Sequence, residues 1–249
     1  FVLLFFLAGF VRTADARTRT EWTTLPEYER QQRDRNEFFQ EELERPGDEP
    51  VLLYTAWGAS AQNYLKKAGY ADTEIYRIDL ALFQGWGSSS PRGYVDNLRR
   101  KIRTMREDHG GKVDIIAHSL GGLTARWFVE IEDGASYVDD LVTIATPHQG
   151  GYVFYGFYFT PAGRTMVPRS QFLEKLNSTP LAPSVEYTAV WSGIDEVFLF
   201  NIFGSRGAQL PEHLVEEHGN ARNILGGYTE HIELAVSWKA FKKYLPYLD

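Results

Sequence analysis

Val113-Asp114-Ile115-Ile116-Ala117-His118-Ser119-Leu120-Gly121-Gly122 is the stretch on which the fold of this chain turns. Its first five residues are β-branched or apolar at four positions and read as a buried strand. From Leu120 to Ile131 the apolar residues recur at helical spacing. Only His118 and Ser119 separate the two elements, so the chain must reverse sharply there. Small residues at Ala117 and Gly121, two positions either side of Ser119, let strand and helix approach closely. Such a turn lifts a serine hydroxyl clear of the sheet and sets it at the positive end of the following helix.

Working outward, the same alternation repeats. Val51 to Tyr54, Glu74 to Asp79, Val138 to Ile144, Val185 to Trp191 and Ala221 to Leu225 read as strands. Between them lie a short helix from Gln62 to Ala68 and a longer one opened by Ser90-Pro91 and closed by Gly110-Gly111, with Leu98, Ile102 and Met105 on one face. A last helix is expected from Ile232 to Tyr244. Strand–helix alternation predicts parallel βαβ units, with ligands at the carboxyl ends of the strands. The alternation lapses between Gln149 and Pro183, an aromatic, Pro- and Gly-rich insert. Ahead of the first strand, residues 23–44 are charged and helix-favouring.

With 249 residues, 43% of them hydrophobic and 24% charged, the chain can close one large core. The formal net charge of −7 argues against nucleic acid as a partner. The dense basic run Arg99-Arg100-Lys101, with Arg103 and Arg106, alternates with apolar residues and reads as the solvated face of a helix. The absence of cysteine excludes disulfides, thiolate metal sites and cysteine nucleophiles. No His-Glu-x-x-His or similar ligand cluster is present, so neither a catalytic metal nor a cofactor is expected; the sequence leaves a structural calcium ion open. Phe1 to Phe10 is an apolar run shorter than the ~20 residues that span a bilayer. Ala14-Asp15-Ala16 follows it with a small-x-small pattern. Without an initiator Met or a basic leader, residues 1–16 read as a truncated signal peptide. Residues 17–249 are then expected to form a single domain, secreted or periplasmic.

Ala117-His118-Ser119-Leu120-Gly121-Gly122, together with Thr146-Pro147-His148-Gln149-Gly150 after the next strand, resembles the bacterial lipase and esterase group of the α/β hydrolases. The similarity runs from about Val51 to the C-terminus. It implies the α/β-hydrolase fold, a mostly parallel central sheet with helices on both faces and a lid or cap insert, here residues 149–183. It also implies an acyl-enzyme on Ser119 and a Ser–Asp–His triad in that chain order.

Of six histidines, His109, His118 and His148 precede the position this order requires, and His213 and His218 lie in a charged stretch. His231 follows a short strand and Gly226-Gly227, directly before the last helix, and is the expected base. Asp195 follows the strand from Val185 to Trp191 through Ser192-Gly193-Ile194 and is the expected acid, with Glu196 beside it as a substitute in principle. The oxyanion hole is expected from the backbone N–H groups of Leu120 and Trp57. Where the family carries His-Gly, this chain has Thr55-Ala56, a departure that bears on the hole. Phe154, Phe157 and Phe159 in the insert, and Phe198 after the acid, are the expected acyl-binding residues, though aromatic runs of this kind also build cores. The implied partner is a small-molecule or lipid ester, with transient contact to a lipid interface. Two alternatives stand beside this reading: a thioesterase or amidase with the same triad, and a catalytically weak homologue that binds lipid or protein.

Overall fold

The computed structural model describes residues 37–55, 57–79, 89–198 and 204–249. Residues 37–41 belong to one unit, and Glu42–Asp249 form another. In the first, residues 37–40 make a helical turn. The helix-favouring stretch therefore stops short of Glu44, and residues 23–36 lie outside the described residues, as does the apolar run of residues 1–16.

The second unit is built on a six-stranded sheet of β1 (Val51–Tyr54), β2 (Ile75–Ile78), β3 (Val113–His118), β4 (Val138–Ile144), β5 (Glu186–Ser192) and β6 (Ala221–Gly227). Their order is β2-β1-β3-β4-β5-β6, and every pairing is parallel. A parallel sheet is covered on both faces, so its strands are apolar without alternation. That is what Val51-Leu52-Leu53-Tyr54, buried at all four positions, shows. The chain enters at β1, one strand in from the edge, places β2 outside it and then winds the other way from β3 to β6. Such a sheet gathers the loops at its strand ends around one crevice.

Eight helices are described in this unit: α1 (Gly58–Lys67), α2 (Val95–His109), α3 (Leu120–Ile131), α4 (Pro161–Met166), α5 (Gln171–Asn177), α6 (Glu212–His218), α7 (His231–Val236) and α8 (Trp238–Tyr244). Leu98, Ile102 and Met105 form the buried face of α2, and Gly110 ends it at a φ of 73° that a residue with a Cβ resists. The sequence reads one last helix where the structure has two. Ser237 breaks it with extended backbone, and its hydroxyl accepts the N–H of Ala240 to start α8. The insert contains a 3-10 turn over Tyr152–Phe157 followed by α4 and α5. Among the described residues, no helix is long and apolar enough to cross a membrane.

Candidate active site

The turn between β3 and α3 is as sharp as its small residues predict. Ser119 sits at φ 53°, ψ −124°, backbone that side chains avoid and that costs of order 1–3 kcal/mol unless its surroundings impose it. They do so here. The Ser119 N–H donates to the carbonyl of Ile144 on β4, and the Gly122 N–H donates to Ser119 O. A Cβ at Gly122 would fall 2.0 Å from Thr146 Oγ1, so only glycine lets α3 lie against the β4 loop. That close approach is a second reason for the small residues around Ser119, and it joins the two motifs that are distant in sequence.

Ser119, Asp195 and His231 follow β3, β5 and β6, and the structure brings them together at one end of the sheet. Ser119 Oγ lies 3.0 Å from His231 Nε2. His231 Nδ1 lies 2.9 Å from Asp195 Oδ2 and 3.1 Å from Oδ1. A carboxylate only accepts, so Nδ1 carries the proton and Nε2 presents a lone pair to the serine hydroxyl. Asp195 is fully buried, and its Oδ1 also accepts the Val197 N–H at 3.0 Å. Burial works against a charged His231, but the charge and hydrogen bond of Asp195, aided by Glu196, outweigh it and hold the imidazole above its ordinary value.

Three contacts that local sequence did not reveal hold this arrangement. His118 is buried, and its Nε2 lies 3.2 Å from the carbonyl of His231, the two rings 4.8 Å apart. Burial, with the neighbouring His231 charge, pushes His118 down to about 3, so it stays neutral and donates to that carbonyl. Glu196, a substitute acid in principle, instead accepts the His231 N–H at 2.7 Å and caps the start of α7. Ser192, fully buried, donates its hydroxyl to Thr229 O and accepts the N–H groups of Thr229 at 2.9 Å and Ile194 at 3.3 Å. It thus ties the loop carrying Asp195 to the loop carrying His231. His148 is a structural residue. Its Nδ1 accepts from buried Arg126 at 3.2 Å, which leaves Nε2 to donate to Thr143 Oγ1 at 2.9 Å.

Leu120 begins α3, where its N–H has no partner within the helix by position. Trp57 is half-buried, and its N–H donates to Thr55 Oγ1 at 3.1 Å, within its own loop. Ala56 lies outside the described residues. The four phenylalanines separate. Phe154 and Phe157 are 3% and 9% exposed and pack inside the insert, whereas Phe159 is 76% exposed beside the exposed rings of Tyr155 and Tyr158. Phe154 and Phe157 are thus buried, not exposed on the surface of the insert. Phe198 is buried with its ring 6.3 Å from that of His231. Leu199, Phe200, Ile202 and Phe203, the rest of that apolar run, lie outside the described residues.

Residues 53–225 match the family described as Lipase (class 2). The match takes in Ser119 and Asp195, and His231 lies just beyond it. Over 85 residues the chain is 36% identical to phospholipase A(1) LCAT3 of Arabidopsis thaliana, a stretch that is 33% of this chain and 16% of that protein. Among solved structures, the mature form of lipase BlEst2 from Bacillus licheniformis is similar at a TM-score of 0.63 and 18% identity. That alignment covers 83% of this chain and 94% of the other. Lipase B of Aspergillus fumigatus is similar at a TM-score of 0.54 and 17% identity, over 72% of this chain and 45% of that one. At these identities the structural likenesses show the α/β-hydrolase fold.

Proposed function

Because the chain belongs to the class 2 lipase family of ester hydrolases, we propose that it cleaves carboxylic esters of acyl chains through an acyl-enzyme on Ser119. One observation carries the reading: Ser119 Oγ, His231 Nε2 and Nδ1, and Asp195 Oδ2 form a hydrogen-bonded line with steps of 3.0 and 2.9 Å. A serine hydroxyl needs a base to remove its proton, and the base needs a carboxylate to fix its tautomer. Here His231 Nε2 takes the Ser119 proton as Oγ bonds to the ester carbonyl carbon. The resulting oxyanion is met by the N–H groups of Leu120 and Trp57, and Asp195 stabilises the imidazolium. As the tetrahedral intermediate collapses, the ester C–O bond breaks and His231 returns the proton to the departing alkoxide. Water then repeats the sequence on the acyl-enzyme, releasing the carboxylic acid and restoring Ser119.

Of the expected acyl contacts, Phe198 has its ring 6.3 Å from that of His231, which supports a place for it beside the acyl group. The exposed aromatic group of Tyr155, Tyr158 and Phe159 suits transient contact with a lipid interface. The apolar run Phe1 to Phe10 and Ala14-Asp15-Ala16 support export to the periplasm or beyond. A second reading is favoured by the Trp57 N–H, which is directed to Thr55. In that reading the hole is poorly formed, and the chain binds acyl groups while turning them over slowly.

A p-nitrophenyl ester series of increasing acyl length, on wild type and Ser119→Ala side by side, tests both. Turnover that falls by about a thousand-fold or more in Ser119→Ala supports the triad, since removal of one member leaves only the residual catalysis of binding and the hole. Equal turnover in the two proteins would refute it, and slow turnover in both with retained acyl binding would favour the second reading. Thioesters and amides run in parallel identify the leaving group, which the triad does not choose.

A further inference from the structure

At the opposite end of the sheet from Ser119, where β3, β4 and β5 begin, carboxylates crowd together. Val113 and Ile115 of β3 pair with Val138 and Leu141 of β4, so Asp139 and Asp140 stand opposite Asp114 alone. Such a bulge re-aims side chains. Asp139 turns to Lys112, 2.8 Å away, while Asp140 is 2% exposed and its N–H donates to Asp114 Oδ1. Asp140 is also the register partner of Glu186, the first residue of β5. Asp249 closes the group, and each of Asp140, Glu186 and Asp249 places a carboxylate oxygen within 4.8 Å of the others.

Two features distinguish this group from an ordinary acidic surface. Asp140 Oδ2 is buried and has no hydrogen-bond partner, a condition that costs free energy unless something meets it. Second, the salt bridges nearby leave Asp140 unpaired: Lys112 goes to Asp139, and Arg222 holds one oxygen of Glu186 at 2.9 Å. A carboxylate has a second oxygen to offer. Burial, then the charges of Asp249, Asp139 and Glu186, push Asp140 up to about 8, another expression of the same missing positive charge.

We propose that Asp140, Glu186 and Asp249 bind a hard divalent cation of the calcium type, clamping the starts of β4 and β5 to residue 249. Oxygen-only donors select hard cations, and calcium tolerates irregular shells at about 2.3–2.6 Å. Magnesium, smaller and held at about 2.0–2.1 Å in a near-ideal octahedron, suits an irregular carboxylate group less well. The site is on the far side of the sheet from Ser119 and works through stability, independently of ester chemistry.

The test uses the full chain, stripped with EDTA, followed by calorimetric titration and melting with calcium chloride and with magnesium chloride. At about 10 mM calcium, tenfold above the millimolar Kd of weak oxygen sites, the melting temperature should rise by about 3 °C or more and fall back with EDTA. Magnesium should do less. Asp140→Asn and Glu186→Gln should each weaken calcium binding about tenfold or more and abolish the rise, whereas Ser119→Ala should keep it. An unchanged calcium response in both carboxylate variants would overturn the proposal. So would a wild type indifferent to calcium whose Asp140→Asn variant melts higher, which would show that a proton meets the Asp140 carboxylate. Should Asp140→Asn fail to fold, Glu186→Gln and the wild-type titration decide alone.

Discussion

Asp195→Asn keeps the size of the side chain and removes one charge, and the contacts around Asp195 dictate the consequence. The Val197 N–H donates to Asp195 Oδ1 at 3.0 Å, so an asparagine keeps its carbonyl oxygen there and turns its amide nitrogen to the Oδ2 place. That place is 2.9 Å from His231 Nδ1. Two donors cannot share the contact, so Nδ1 becomes the acceptor and the imidazole proton moves to Nε2, facing Ser119 Oγ at 3.0 Å. The base then presents a proton where it must take one. The flipped amide restores the tautomer but sets its nitrogen against the Val197 N–H, a buried mismatch of roughly 1–3 kcal/mol. In either rotamer the imidazolium loses its counter-charge, about 4 kcal/mol for unit charges ~4 Å apart at an effective dielectric near 20. At 1.36 kcal/mol per tenfold these sum to about a ten-thousand-fold loss in kcat. The assay is kcat on a short p-nitrophenyl ester, with the melting temperature as control. A variant that folds normally and retains a tenth of wild-type kcat would refute the reasoning. If Asp195→Asn/Glu196→Gln then lost that remainder, Glu196 would be the acid in fact.

Ser192→Ala removes the tie between the Asp195 and His231 loops and leaves the Thr229 N–H without its partner, so stability should fall by about 1–3 kcal/mol. Melting should drop by several degrees, and kcat by about tenfold at similar KM; an unchanged kcat would show that the loops hold their register without it. The acid limb of kcat/KM should lie above pH 6.5, because the base must be neutral to act and Asp195 and Glu196 hold His231 above its ordinary value. Glu196→Gln removes one of those charges and should move the limb to lower pH, whereas a limb that stays in place would mean another group titrates. Exported protein should begin at Arg17, which N-terminal sequencing checks; a mature chain that retains Phe1 to Phe10 would indicate an anchor.

The sequence was most informative where a residue type answers to a local constraint. Continuous apolar strands announce a sheet covered on both faces, and Ala117 and Gly121 announce the turn at Ser119, because small residues there let a strand and the following helix approach closely. What the sequence hid depends on register. The Ser192–Thr229 tie needs residues 37 positions apart to face each other across β5 and β6, whose pairing shifts between Trp191 and Ser192. The Asp140 group needs a bulge between β3 and β4 and the register partner on β5. The aromatic insert was ambiguous for another reason. Tyr152 to Phe159 is apolar nearly throughout, and only the turn of the backbone decides that Phe154 and Phe157 face inward while Tyr155, Tyr158 and Phe159 face water. Thr55 combines both limits. Its difference from the family pattern was visible, but its contact was not: a hydroxyl two residues ahead of Trp57 accepts the N–H of that expected donor. Composition names such a residue as a departure, and only the structure shows that its hydroxyl takes the N–H of Trp57.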